Sequence, residues 1–141
     1  MVEFVPGDLD RDGNMDIVGA GGGAAHVLIG KGDGTFSDHV AYGTAGAINT
    51  IKLADMNGDG ILDIVAGGGN LAVFSGRGDG TFREPQKFAV GLATVRTVDV
   101  GDLDGDGSPD VIAGHTGTGA ARNYFTVLIQ RPPAPGQAAT R

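Results

Sequence analysis

Hydrophobic residues occur in short runs, each closed within a few positions by Gly, Asp, Asn or Pro. In the middle of the chain the runs cover residues 51–53, 62–66, 71–74 and 87–90, and in the first third 2–5, 15–20, 25–29 and 37–42. None keeps a 3.6-residue rhythm long enough to lay an apolar stripe along a helix, so each predicts a strand. Runs at 95–100, 109–113 and 124–130 predict three more. Beyond them Arg131-Pro132-Pro133-Ala134-Pro135-Gly136 breaks strand pairing, because proline has no N–H to give to a ladder.

The runs recur as a set. Gly7-Asp8-Leu9-Asp10-Arg11-Asp12-Gly13 returns as Ala54-Asp55-Met56-Asn57-Gly58-Asp59-Gly60 and as Gly101-Asp102-Leu103-Asp104-Gly105-Asp106-Gly107, with the first aspartates 47 residues apart both times. Gly32-Asp33-Gly34-Thr35-Phe36 returns 46 residues later as Gly78-Asp79-Gly80-Thr81-Phe82. A period of this length means stacked units sharing a core, and about four strands per unit predicts a β-propeller blade. The chain is expected to be all-β, with blades at 1–47, 48–94 and 95–131. The third has no second Gly-Asp-Gly-Thr-Phe and is expected to lack a regular outer strand; residues 132–141 read as a flexible Pro-rich tail. A length of 141 residues allows one modest core.

Charge sharpens the picture. The net charge is −7, and 11 of the 17 acidic residues lie within 8–16, 55–63 and 102–110. Such a chain is a poor partner for nucleic acid or an anionic membrane surface. Three bound divalent cations would bring −7 to −1, so the acidity reads as coordination capacity. With no Cys, disulfides, thiolate zinc sites and thiol catalysis are excluded. No apolar run reaches 18 residues, and the N-terminus lacks a basic start and an apolar signal core, so the chain is expected to be soluble, with any export signal outside it.

The acidic segments share the pattern Asp-x-Asp/Asn-x-Asp-Gly-x-x-Asp. Calcium takes six to eight oxygens at about 2.3–2.6 Å, and side chains at alternate positions of a tight loop converge on one point. The expected ligands are Asp8, Asp10, Asp12 and Asp16; Asp55, Asn57, Asp59 and Asp63; and Asp102, Asp104, Asp106 and Asp110. Asn14, Ile61 and Ser108 stand where a backbone carbonyl would join them. One Ca²⁺ per repeat, three per chain, is expected. Without a cation, so many carboxylates would repel one another. An EF-hand needs Glu at position twelve and flanking helices; position twelve is Gly19, Ala66 or Ala113, and the flanks are strand-like. The competing reading is an Asx-rich hairpin turn with no metal.

These two motifs, in register, resemble the FG-GAP/VCBS repeats of integrin α-subunit propellers and many secreted bacterial proteins. The resemblance covers residues 1 to about 131. It implies a calcium site in the loop joining the first two strands of each blade, on the loop residues named above, and an extracellular or cell-surface setting. Family propellers are usually seven-bladed. Three blades in a row leave two uncovered ends, so a homo-oligomer is expected, most simply a dimer closing a six-bladed ring, with a larger ring or a longer propeller of which these blades are a part as the alternatives.

The function expected is a non-catalytic, calcium-binding scaffold or interaction module with a protein or glycan ligand. A lectin-like propeller is the alternative, and an accessory part of a secreted enzyme ranks third. Val18-Gly19-Ala20-Gly21-Gly22-Gly23 resembles a dinucleotide fingerprint, but its counterpart at 66–70 leads straight into another strand. Arg77-Gly78-Asp79, an adhesion-like triplet, and Lys31-Gly32-Asp33 fill the same slot of the repeat, where a turn is expected. His26, His39 and His115 fall at different phases and show no ligand spacing, and no nucleophile elbow or separate acid pair suggests catalysis.

Overall fold

The computed structural model describes residues 3–44, 46–90, 94–116 and 124–131. The expectations for the 132–141 tail and for the chain past Arg131 lie outside these residues. Among the described residues there is no helix, and all eleven predicted strands are present. The first sheet is β1 (Glu3–Gly7), β2 (Asp16–Gly21), β3 (Ala24–Leu28) and β4 (Val40–Gly43). The second is β5 (Ile48–Ala54), β6 (Asp63–Gly68), β7 (Leu71–Phe74) and β8 (Gln86–Phe88), and the third is β9 (Thr94–Gly101), β10 (Asp110–Thr116) and β11 (Tyr124–Leu128). Each is an antiparallel meander with consecutive strands side by side, as a propeller blade requires.

Local chemistry sets the turns. β2 and β3 are joined at Gly22 and Gly23, with φ of 57° and 85°, the left-handed pair that a tight hairpin needs. The glycine run is therefore a hairpin. The fourth strands are shifted from the predicted 37–42 and 87–90. Ser37 still belongs to the preceding turn: its N–H donates to the Ile29 carbonyl at 2.8 Å, and its Oγ accepts from the Ile29 N–H at 3.0 Å.

Alternation along the strands builds two cores. In β6, Ile64 and Ala66 join the core shared with the first sheet, while Val65 joins the core shared with the third. In β7, Ala72 and Phe74 go one way and Leu71 the other. The middle sheet is thus buried on both faces, and every residue of β6 is buried. In the first seam, Leu9, Val18, Ala25 and Val27 meet Ile51, Ile64 and Phe74. In the second, Met56, Val65 and Leu71 meet Val95, Val98 and Val111. Each large aliphatic or aromatic side chain so buried contributes about 1.5–3 kcal/mol. The sheets approach closely at Gly67, where a Cβ would lie 2.5 Å from Val95 Cγ1.

Candidate metal centre

Each acidic segment is the loop between the first two strands of its sheet. The first aspartate organises the loop by accepting backbone N–H groups. Asp8 takes Arg11 at 2.7 Å and Gly13 at 3.1 Å; Asp55 takes Gly58 at 2.8 Å and Gly60 at 2.7 Å; Asp102 takes Gly105 at 2.7 Å and Gly107 at 3.0 Å. Positions four and six of the loop have positive φ, which Gly adopts freely. Arg11 stands at position four of the first loop with φ of 65°, where the other loops have Gly58 and Gly105.

A second set of bonds steps along the acids. Asp10 accepts the Asp12 N–H and Asp12 the Asn14 N–H; Asn57 accepts from Asp59 and Asp59 from Ile61; Asp104 accepts from Asp106 and Asp106 from Ser108. The result brings carboxylate oxygens of Asp8, Asp10 and Asp12 within 4.8 Å of one another, and likewise those of Asp102, Asp104 and Asp106. The second loop has the same backbone plan with the Asn57 amide between Asp55 and Asp59. Clustered hard oxygens of this kind fit a calcium ion. The Asp10 carboxyl is pushed up, first by loss of solvent and then by the charges of Asp12 and Asp16, while the Asn14 N–H holds Asp12 low.

The closing aspartates sit lower. Asp16, Asp63 and Asp110 are buried, and both oxygens of each accept backbone N–H groups. Asp16 ties Leu9 at 2.7 Å to Gly30 at 2.8 Å; Asp63 ties Met56 at 3.0 Å to Gly76 at 2.8 Å; Asp110 ties Leu103 to Gln130, both at 2.8 Å. They fasten each loop to the chain leaving the third strand. Burial pushes the Asp63 carboxyl up. Each oxygen keeps a further lone pair that could face a cation.

Sequence reasoning missed Gly30, Gly76 and Gln130. At Gly30 a Cβ would lie 2.2 Å from the Met15 carbonyl oxygen, and at Gly76 2.4 Å from that of Leu62, so the glycines let the strand end close on the loop. Their recurrence just before each Gly-Asp-Gly-Thr-Phe was the available signal.

That second motif also supports the loops. In Arg77-Gly78-Asp79, Arg77 donates to the Phe82 carbonyl at 2.7 Å, and Asp79 Oδ1 accepts the Thr81 N–H and hydroxyl at 3.0 and 2.6 Å. Those hydroxyl and amide bonds lower the pKa of the Asp79 carboxyl, as the matching bonds from Thr35 do for Asp33. The triplet's side chains are spent on their own turn. Gly80 N–H in turn donates to the Leu9 carbonyl of the first acidic loop at 3.2 Å. In the second seam the Gln130 side-chain amide donates to the equivalent Met56 carbonyl. Beside it a cleft of about 560 Å³ is lined by Leu71, Val73, Phe88 and Leu128 with Arg83 and Gln86.

A family model described as FG-GAP-like repeat matches the sequence twice, over residues 8–66 and 55–113. No curated protein matches. Among solved structures, a lectin of Agrocybe aegerita described by its specific recognition of non-reducing terminal N-acetylglucosamine is similar with a TM-score of 0.58 and 26% identity. The match covers 89% of this chain and 37% of the lectin chain. The Tc holotoxin pore of Photorhabdus luminescens is similar in fold, with a TM-score of 0.54 and 19% identity over 89% of this chain and 6% of that one. This chain spans well under half the length of either.

Proposed function

Because the chain belongs to the FG-GAP-like repeat family, we propose that it is a calcium-binding piece of a β-propeller that serves as a non-catalytic interaction module. The observation that carries this reading is one backbone loop plan built three times, its first carboxylate gathering backbone N–H groups each time and its next two acids brought alongside in the first and third loops. Asp8, Asp10 and Asp12, Asp55, Asn57 and Asp59, and Asp102, Asp104 and Asp106 would hold one Ca²⁺ per loop, with Asp16, Asp63 and Asp110 beneath. A bound ion supplies the positive charge that lets the carboxylates stay together. The chain's own residues fix the donors and anchor each loop to its sheet. Loops of modest affinity fill at the millimolar calcium found outside cells, which favours an extracellular or cell-surface setting.

Calorimetric titration of chelator-treated protein should count three sites. A hundredfold excess over Kd should stabilise each filled site by about 2.7 kcal/mol. Asp102→Asn with Asp106→Asn should lower the count to two. Neither heat nor a rise in melting temperature on adding calcium would end this reading.

A second reading, carbohydrate binding, is favoured by the cleft between the second and third sheets together with the likeness to the N-acetylglucosamine-recognising lectin. An aromatic wall such as Phe88 suits the apolar face of a sugar. A glycan array probed with and without calcium tests it, and silence of every glycan ending in N-acetylglucosamine would reject it.

A further inference from the structure

We propose that the two outer sheet faces are halves of one interface and that a second copy of this chain joins them head to tail, its first sheet seated on the third sheet of its partner. At each internal seam one sheet gives its forward face and the next its rear face. The forward face is Leu9, Val18, Ala25 and Val27 at the first seam and Met56, Val65, Leu71 and Val73 at the second. The same repeat positions on the third sheet are Leu103, Ile112, Phe125 and Val127. Strand register fixes that equivalence: Val65 pairs with Val73 and Gly67 with Leu71, as Ile112 pairs with Val127 and Gly114 with Phe125. By the same count the rear-face residues Ile51, Ile64, Phe74 and Phe82 correspond to Phe4, Ile17, Leu28 and Phe36 of the first sheet.

Exposure follows position in the arc, not residue type. Leu9 is 2% exposed and Met56 7%, but Leu103 is 49%; Ile51 is fully buried, but Phe4 is 64% exposed. A terminal repeat that faces water is capped by polar residues. These faces carry apolar side chains instead, in the pattern that the internal seams bury, and Phe125 is 71% exposed. The backbone agrees: docking in the same register would bring the partner's Gly34 N–H to the Leu103 carbonyl, as Gly80 meets Leu9 within the chain. The surface that fits the forward face is one this chain itself carries. Such a contact is heterologous, and with two copies both seams form if the half-rings close.

Sedimentation equilibrium of the full chain in saturating calcium tests this, using wild type, Phe4→Asp, Phe125→Asp and an equimolar mixture of the two variants. Wild type should show twice the 14.2 kDa chain mass and each variant alone the single mass. The mixture should regain a two-chain species through its one undamaged seam. Both substitutions are on exposed side chains, and an unchanged far-ultraviolet circular dichroism spectrum verifies that the sheets persist. A single-mass wild type, a two-chain species sensitive to only one substitution, or a mixture that stays single would each overturn the proposal. Loss of calcium uptake with an intact two-chain species would sink the metal reading and leave this one standing.

Discussion

Between the first and second sheets, Phe82 stands edge-on to Tyr42 with ring centroids 5.4 Å apart, and Tyr42 meets Phe74 at 6.3 Å. Between the second and third sheets, Leu128 holds the place of Phe74 and Phe88 that of Tyr42, while no described residue holds that of Phe82. The first seam keeps only a pocket of about 130 Å³ beside these rings, and the second keeps the cleft of about 560 Å³. The difference shows what Gly-Asp-Gly-Thr-Phe does. It is a turn that lowers a phenyl ring into the seam and gives one N–H to the neighbouring acidic loop. Where the third repeat lacks it, the Gln130 side chain supplies the donor, and the ring's volume stays open.

The hardest test of that comparison is Phe82→Ala. The ring is 4% exposed and belongs to the first core, so its loss leaves a cavity under Tyr42 and should cost about 3–5 kcal/mol in urea unfolding. Phe88→Ala, at a site already walled by open space, should cost less than half as much. Equal losses would mean that the two seams are packed alike.

Next in size is Gly67→Ala. Its counterpart at the first seam is Ala20, whose methyl is buried against the second sheet. At the second seam an added Cβ would stand within 3 Å of Val95, Thr50 and Val98 side chains, so overpacking should cost about 1–3 kcal/mol. A neutral result would show a second seam loose along its inner part as well as at its cleft.

Much of this was legible because it is local. Gly, Asp and Asn punctuate every strand, so the eleven runs were visible even where their ends moved by two or three residues. Asp8, Asp10 and Asp12 converge within one turn of chain, a distance over which spacing alone decides geometry. The lower seat of Asp16, Asp63 and Asp110 was not legible, since each reaches an N–H 13 to 20 residues away, just past the end of the third strand of its sheet. Gln130 was hidden for a related reason. The longer connection between β10 and β11 breaks the 47-residue count, and only the pairing of Val111 with Leu128 restores the correspondence with Gly76.

The smallest expected effect lies at the end of the second seam. His115 is buried, stacks on Tyr124 at 4.8 Å, meets Thr126 Oγ1 at 3.0 Å through Nε2, and has no described partner for Nδ1. Burial lowers its pKa, because the imidazolium would lose its water. The unfolded chain therefore binds this proton at a higher pH than the folded one, near about 6.5. The contribution to stability is fully present above that value and is lost as pH falls through the folded pKa. His115→Gln removes the titration while retaining a hydrogen-bonding side chain. Melting curves between about pH 7.5 and 5 should show wild type losing more stability than the variant as acid is added. Parallel curves would mean that His115 is protonated as readily in the sheet as in the unfolded chain, and that this end of the second seam is as open to water as its cleft.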